Sequence, residues 1–302
     1  MGVQLRLVSF GGSGSRAGVV CRDGTIIDVS DFISGGRGEI SGALRRIIEN
    51  WSELDPKLRE LESMGGGQRF GSVVLSPPIS DPTKIVAAPV NYIDHMEEMH
   101  QLSHIDSLGV FLKAPSSLIG HGGTVRLPYH NRRFDQEGEL CFVVGKVARH
   151  VKVEEAGDYI FGYSVLLDIT MRGGEDRSTR KSFDTFTPMG PWIVTADEVG
   201  AIDDLELRCW VNGDLRQNAK ISDLIWGVPE LLAYVSSVMT LYPGDVISTG
   251  TPKGVGPIGN GDEIVAEVSQ IGRLSVTVSN DGATFSVTRG GTTGPVPPTD
   301  EE

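Results

Sequence analysis

Two stretches of sequence decide the fold: EGELCFVVGK, residues 137–146, and GYSVLLDITMR, residues 162–172. Each contains an apolar run of strand length, a pattern typical of buried strands. Glu137 and Glu139 stand two apart directly before the first run, so on a strand they point to the same face about 7 Å apart. Asp168 ends the second run, where an unpaired buried charge would cost several kcal/mol. The pattern predicts strands that carry carboxylates needing a partner.

A divalent cation is one way to neutralise these carboxylates. Three carboxylates without nearby Cys or paired His favour a hard, oxygen-seeking ion, which puts Mg²⁺ or Mn²⁺ first and Ca²⁺ later. The alternative is that Glu137 and Glu139 lie at a solvated strand start while Asp168 is hydrogen-bonded in a turn. Spacing alone leaves both interpretations open.

A second candidate element is NYIDHMEE, residues 91–98. His95 and Glu98 are three residues apart and share a face if the segment is helical. A histidine whose ring is held by a carboxylate has a fixed tautomer and is suited to take a proton from water. The alternative is an ordinary surface or core histidine, because HxxE is short and common.

Two cations and a hydroxyl extend the candidate site. Arg172 ends the second stretch and Lys181 begins KSFDTF, and either side chain would bind a substrate carboxylate or stabilise a developing oxyanion. The segment also contains Arg177 and Arg180, so a solvated cationic surface is the alternative. Thr251 lies in a turn-rich TGTP loop that either presents hydroxyls and backbone N–H groups to an anion or is a plain loop.

Composition narrows the class of protein. In 302 residues, 39 Gly and 16 Pro indicate many tight turns and a β-rich protein rather than a helical bundle. A net charge of -13 repels nucleic-acid phosphates and anionic lipid, so we expect neither nucleic acid nor membrane as a partner. Three cysteines without CxxC spacing predict buried thiols, and no run of 18 apolar residues occurs, so we expect a cytoplasmic protein.

Length and punctuation predict two units and a tail. These are a small N-terminal α/β unit at residues 1–75, a catalytic domain at 83–288 and a disordered tail at 289–302. Within the first unit, Asp23-Gly24 predicts a hairpin turn. Apolar residues at helical spacing over residues 40–64 predict a helix that is broken near Pro56.

Taken together, these stretches resemble the fumarylacetoacetate hydrolase family over nearly all of residues 83–281. In chain order the matching stretches are NYIDHMEE (91–98), FLKAPSSLIG (111–120), EGELCFVVGK (137–146), GYSVLLDITMR (162–172), KSFDTFTPMGPWIVTADE (181–198), VNGDLRQ (211–217) and MTLYPGDVISTGTPKGVG (239–256). The resemblance implies a mainly β, α+β protein whose catalytic domain is a mixed, rolled β-sheet, usually in a homodimer.

The resemblance also implies roles for individual residues. A Mg²⁺ or Mn²⁺ ion is held by the carboxylates matching Glu137, Glu139 and Asp168. His95 and Glu98 lie on a lid that orders over bound substrate. Contacts with the substrate come from the positions of Arg172, Lys181, Thr251 and Tyr92.

One position departs from the family pattern. After the arginine the family usually reads Asp, an apolar residue and Gln, whereas Arg172 is followed by Gly173-Gly174-Glu175. The glutamine that commonly donates to the reacting carbonyl is missing, and Glu175 cannot donate unless it is protonated. We therefore expect Lys181 to act as the replacement donor.

The expected activity is metal-dependent hydrolysis of the C–C bond of an acylpyruvate, such as fumarylpyruvate or maleylpyruvate, to pyruvate and a carboxylic acid. His95, oriented by Glu98, would activate water, and Lys181 would stabilise the oxyanion. One alternative keeps the scaffold and acts as an oxaloacetate-type decarboxylase or a hydroxymuconate-type isomerase. The other is a metal-stabilised β binding module without activity, whose ion would have its coordination filled by protein.

Overall fold

The structure is a computed structural model that describes residues 4–11, 16–33 and 42–292. Its strands are β1 Arg6–Phe10, β2 Arg16–Val20, β3 Thr25–Asp28, β4 Gln68–Arg69, β5 Leu75–Ser76, β6 Ile85–Ala87, β7 Phe111–Lys113, β8 Leu118–Ile119, β9 Thr124–Arg126, β10 Phe134–Gln136, β11 Gly138–Val144, β12 Ile160–Leu167, β13 Thr170–Met171, β14 Thr187–Thr195, β15 Glu206–Val211, β16 Asp214–Lys220, β17 Val246–Ser248, β18 Gly256–Pro257, β19 Glu263–Val268 and β20 Gly272–Ser279. Its helices are α1 Ala43–Glu49, α2 Trp51–Met64, α3 Ile93–Glu98, α4 Ile105–Leu108, α5 Arg177–Arg180 and α6 Val228–Val238. The predicted mainly β, α+β class is confirmed.

The described strands form three sheets. The largest has the order β4-β3-β2-β1-β14-β12-β11-β17-β6-β7, with β5 added on β1 and β8 on β14. It is mixed, because β17 runs parallel to β6 and β8 runs parallel to β14, whereas the other pairs are antiparallel. A second sheet has the order β16-β15-β19-β20-β9, and a third has the order β13-β10-β18.

The central strands are buried on both faces. All residues of β11 and β12 are buried. Along β11, Leu140 and Phe142 pack into one hydrophobic cluster, whereas Cys141 and Val143 pack into another. Because successive side chains of a strand point to opposite faces, a strand between two clusters needs a continuous apolar run. This packing explains the runs seen in the sequence.

The N-terminal strands continue the main sheet. The predicted hairpin turn at Asp23-Gly24 is confirmed, since it joins the antiparallel strands β2 and β3. Strand β1 then pairs with β14, with Arg6 opposite Val194. Strands from the predicted units at 1–75 and 83–288 therefore belong to one sheet, because β1 pairs with β14.

The helical segment of the N-terminal part breaks earlier than predicted. Asn50 separates α1 from α2, and its side-chain Nδ2 donates to the Arg46 carbonyl at 2.8 Å. Helix α2 continues through Pro56, so the predicted break there is wrong. A proline removes a single intrahelical hydrogen bond, and the burial of Leu54 and Leu58 holds the helix on both sides of it.

The C-terminal segment is described only as far as Thr292. Gly290–Thr292 form a short 3-10 turn, and the Gly174 N–H donates to the Gly290 carbonyl at 3.0 Å. The rest of the predicted disordered tail, residues 293–302, lies outside the described residues. None of the described helices has the length and apolar composition needed to span a bilayer.

Candidate active site

Three carboxylates converge at the end of the central strand pair. Strands β11 and β12 are antiparallel, with Glu139 opposite Leu166. Just beyond β12, the Asp168 N–H donates to the Glu137 carbonyl at 2.8 Å. The ligand oxygens of Glu137, Glu139 and Asp168 consequently lie within 4.8 Å of one another, and each residue is at most 4% exposed. The alternative of a solvated strand start is therefore wrong.

Buried lysines neutralise two of the three carboxylates. Lys181 Nζ donates to Glu137 Oε2 at 2.6 Å, to Asp168 Oδ2 at 2.5 Å and to Thr170 Oγ1 at 2.7 Å. Lys113 donates to the other oxygen of Asp168 and is itself buried. An ammonium group has three N–H donors, so Lys181 has a full set of acceptors.

Arg172 adds a third buried cation. Its Nε donates to Asp135 Oδ2 at 2.7 Å, and its Nη2 lies 2.8 Å from Glu137 Oε1. Although burial alone would lower it, Glu137 and Asp135 raise the pKa of Arg172. Conversely, although burial alone would raise it, Lys181 and Arg172 lower the pKa of Glu137. Arg172 and Lys181 are at most 5% exposed, so the alternative of a solvated cationic surface is wrong for both.

Glu139 differs from its two neighbours. Its Oε2 accepts hydrogen bonds from the Ser248 hydroxyl and, at 2.9 Å, from the Gly250 N–H. No cation in the described chain forms an ion pair with it. Burial, together with the nearby charge of Asp168, raises the pKa of Glu139 to about 8. Glu139 is thus the member of the triad whose charge lacks a partner.

Gly250 owes this contact to its backbone conformation. Its φ is +94°, and an added Cβ would lie 2.9 Å from the Asn91 side chain and 3.1 Å from the Ala88 carbonyl. Only glycine adopts this conformation readily. The TGTP loop is therefore more than a plain connection, because its backbone donates to Glu139.

The carboxylate triad fits a divalent cation. Glu137, Glu139 and Asp168 offer oxygen ligands only, which suits Mg²⁺ or Mn²⁺. An ionised Glu139 has no protein cation to neutralise it, and a bound cation would fill that role. The residues present therefore match the predicted cofactor.

His95 lies in α3 with the expected carboxylate beside it. His95 Nδ1 is 3.1 Å from Glu98 Oε2, one helical turn away. Glu98 is fixed in turn, because its Oε1 accepts a hydrogen bond from the Gly254 N–H at 2.7 Å. His95 is 6% exposed, so it is not a surface histidine.

Thr251 and Tyr92 occupy different environments. The Thr251 hydroxyl donates to the Gly138 carbonyl at 2.9 Å and accepts from Gln217 Nε2 at 2.7 Å. Tyr92 is 1% exposed, and its hydroxyl has no hydrogen-bond partner among the described residues. Burial, with Glu139 as the next contribution, raises the pKa of Tyr92.

One small cavity of about 40 Å³ brings most of these residues together. The predicted site residues in its walls are His95, Glu137, Glu139, Arg172, Lys181 and Thr251. Asp168 and Glu98 stand behind the wall and contact Lys181 and His95 respectively. Tyr92 is not among the described side chains that line the cavity.

Two further cations at this site were not predicted. Lys113 lies in the quoted stretch FLKAPSSLIG, but a single lysine ending a short strand carries no signal of burial until its neighbours are known. Arg180 lines the cavity and is 5% exposed. Arg180 belongs to a run of basic residues that begins at Arg177, and such a run is typical of a solvated surface. Its burial was therefore not predicted.

Glu175, where the sequence departs from the family, has a structural partner. Its two carboxylate oxygens each accept a hydrogen bond of 2.7 Å from Arg132. Arg132 also donates to the Arg172 carbonyl at 2.9 Å and to Thr288 Oγ1 at 2.9 Å. The Arg132 hydrogen bonds lower the pKa of Glu175 to about 2. Glu175 is therefore an anion that ties the segment after Arg172 to the C-terminal residues.

Fold and site together define a β-rich protein with a buried carboxylate triad suited to a divalent cation and a histidine–carboxylate pair in the same site. Residues 84–279 match the model described as fumarylacetoacetate (FAA) hydrolase C-terminal. The chain belongs to the fumarylacetoacetate hydrolase family.

Relatives within the family differ in their activities. A maleylpyruvate hydrolase of Aquipseudomonas alcaligenes is 46% identical over 220 residues, covering 69% of this chain and 77% of the relative. The crystal structure of maleylpyruvate hydrolase from Sphingobium sp. SYK-6, in complex with manganese(II) and pyruvate, superposes with a TM-score of 0.82 at 37% identity, covering 91% and 99% of the two chains. A mitochondrial oxaloacetate tautomerase of Xenopus laevis is 33% identical over 291 residues, 90% of each chain.

Proposed function

We propose that the protein is a metal-dependent hydrolase that cleaves the C–C bond of an acylpyruvate, giving pyruvate and a carboxylic acid. The observation that carries the proposal is the position of Glu139: a buried carboxylate without a partner cation lines the same cavity as His95. The similarity to two maleylpyruvate hydrolases supports this reaction above others.

Glu137, Glu139 and Asp168 are the proposed ligands of Mg²⁺ or Mn²⁺. When bound, such an ion supplies Lewis-acid polarisation of substrate oxygens and stabilises negative charge on the pyruvate part. The Ser248 hydroxyl and the Gly250 N–H both donate to Glu139 and fix its orientation.

His95 is the proposed general base. Glu98 holds Nδ1, which fixes the ring tautomer and leaves Nε2 to take a proton from water. The resulting hydroxide adds to the C4 carbonyl of the acylpyruvate, and the C3–C4 bond then breaks. The electron pair of that bond passes to C3, which is protonated to give pyruvate, while C4 becomes the carboxyl carbon of the second product.

Arg172 and Lys181 are the proposed cations that contact the substrate. Lys181 has three acceptors, so it can donate to substrate only after one of the two carboxylates turns to another partner. Arg172 has five N–H donors and uses fewer of them in its contacts with Asp135 and Glu137. Because Arg172 has unused donors before the reaction, we assign binding of the substrate to it. Because the donors of Lys181 become free only when a carboxylate turns away, we assign to Lys181 the stabilisation of charge that develops during the reaction.

A second candidate function is enolisation or decarboxylation of oxaloacetate. It is supported by the similarity to the oxaloacetate tautomerase over nearly the whole chain. Such a reaction needs proton transfer at carbon but no attack by water, and His95 would serve it equally well. The alternative of an inactive binding module has less support, because a histidine–carboxylate pair lines the same cavity as the triad.

The test is a substrate panel with a metal dependence. Purified protein would be assayed with maleylpyruvate, fumarylpyruvate and oxaloacetate, with Mn²⁺ or Mg²⁺ and again after chelation. Formation of pyruvate and the four-carbon diacid, abolished by chelator and restored by metal, is the expected result. Turnover of oxaloacetate well above that of any acylpyruvate would replace the hydrolase proposal with the second candidate.

A further inference from the structure

One buried cation in the cavity wall forms no ion pair with the described residues. Arg180 lies at the end of α5, is 5% exposed and lines the cavity. Its Nη1 is buried without a hydrogen-bond partner, and no described carboxylate forms an ion pair with its guanidinium. Arg177 is half-buried, lines the same cavity and likewise has no ion pair within the described residues.

This environment sets Arg180 apart from the other cations around the centre. Lys113, Lys181 and Arg172 each contact at least one buried carboxylate. A buried guanidinium without such a contact has given up its hydration for only the longer-range attraction of Glu137 and Asp168. Accordingly, burial lowers the pKa of Arg180, whereas the pKa of Arg172 is raised. An anion that enters the cavity would supply what the protein does not.

We propose that Arg180, with Arg177 beside it, binds a second carboxylate at the far end of the substrate's acyl group. The substrate class is then the acylpyruvates whose acyl chain ends in a carboxylate, in preference to those that end in a methyl group. Phe111 and Met99 also line the cavity, and they suit a short hydrocarbon spacer between the two ends. This inference rests on the proposed acylpyruvate hydrolysis for its reaction but not for its anion site.

The kinetic test uses two substrates that differ only at the far end. Succinylpyruvate and butanoylpyruvate have acyl chains of the same length, ending in a carboxylate and in a methyl group. The readout is the ratio of their kcat/KM values. Loss of a hydrogen-bonded ion pair predicts that Arg180→Met lowers this ratio by about 10- to 100-fold. Arg180→Lys should restore part of it, and the exposed Arg208, changed to Met, serves as a control that keeps the wild-type ratio. An unchanged ratio in Arg180→Met would overturn the proposal.

A binding test separates this proposal from the hydrolase proposal. Calorimetry on the Mn²⁺-loaded protein would compare 2-oxoheptanedioate, whose chain has the length of succinylpyruvate, with 2-oxoheptanoate, which lacks the distal carboxylate. Tighter binding of 2-oxoheptanedioate by wild type, lost in Arg180→Met, would support the anion site even if no acylpyruvate were cleaved. Equal affinities in wild type would refute the site even if hydrolysis were found.

Thermal unfolding of the metal-free protein without ligand distinguishes a binding role from a structural one. Removing an uncompensated buried charge with a side chain of similar volume should leave the Tm of Arg180→Met equal to or above that of wild type. A marked fall in Tm would mean that the guanidinium has a partner within the protein, and it would overturn the proposal.

Discussion

Replacing Glu139 with Gln tests whether the triad takes up a cation at the expense of a proton. Burial, with the charge of Asp168, raises the pKa of Glu139 from 4.5 to about 8, so the metal-free protein holds a proton there at neutral pH. A metal ligand must be deprotonated, so binding of Mn²⁺ releases that proton. With a pKa of about 8, the apparent affinity for Mn²⁺ should fall by roughly one to two orders of magnitude between pH 8 and pH 6.

The stability of the metal-free protein changes with pH in the opposite direction to its affinity for metal. A raised pKa means that the folded protein keeps a proton that the unfolded chain has already lost, so the metal-free protein loses stability as pH rises from 4.5 to about 8. Glu139→Gln keeps a neutral acceptor for Ser248 and Gly250, and this variant should not show that loss.

Calorimetry of Mn²⁺ binding at pH 6.5, in two buffers of different ionisation enthalpy, counts the released protons. Wild type should release about one proton. Glu139→Gln should release none. Its affinity for Mn²⁺ should fall by more than the roughly 10- to 100-fold loss that is typical when a residue contacting a metal ligand is changed. Glu137→Gln is the matched control. The pKa of Glu137 is lowered, so this carboxylate is already ionised before the metal binds. Removing its charge should weaken Mn²⁺ binding, while the proton released by Glu139 should still be counted. Wild-type binding without proton release would refute the reasoning.

Three further predictions concern turnover and stability. His95→Ala should lower turnover by about 10²- to 10⁴-fold, because His95 is the proposed general base. The Mn²⁺ affinity measured by calorimetry should stay near that of wild type, because His95 is not a proposed ligand. Near-normal turnover would remove His95 from the mechanism. Lys181→Met should lower kcat by about 10²- to 10³-fold, far more than it weakens calorimetric binding of oxalate, because its charge is used in the transition state; equal losses would assign it to ground-state binding. Glu175→Gln should lower the free energy of unfolding by about 2 kcal/mol, since it breaks charged hydrogen bonds to Arg132. Denaturant titration should give nearly the same difference at pH 7 and pH 5, because the lowered pKa of Glu175, about 2, keeps the carboxylate ionised throughout that range. The contribution is lost as pH falls from 4.5 to about 2. No difference at pH 7 would mean that the link is not formed.

The sequence predicted those parts of the centre that follow from local chain geometry. Two glutamates two apart on a strand must share a face, and Asp168 was placed by the end of its apolar run. The spacing of His95 and Glu98 likewise required only one turn of helix. These relations depend on a few consecutive residues, and the structure reproduces each of them.

The parts that could not be predicted depend on distant pairing. Lys113 becomes a buried partner of Asp168 because β7 and β6 pair at the edge of the main sheet, a contact between residues 55 positions apart. Arg180 looks like a surface residue in its own segment, and its burial depends on the cavity wall around it. The helix break was predicted at the wrong residue for a different reason. A proline is a stronger local signal for a break than an asparagine, so Pro56 was chosen over Asn50. In the structure, the packing of α2 keeps the helix intact through Pro56.

The link through Arg132 has a practical consequence for anyone who shortens or extends this protein. Arg132 joins Thr288 near the carboxyl end to the main chain at Arg172, which lines the cavity. Deleting everything after Val287, or fusing a purification tag at that point, would free one side of this link and let the cavity wall shift. A loss of activity in such a shortened protein is therefore expected to act through Arg172.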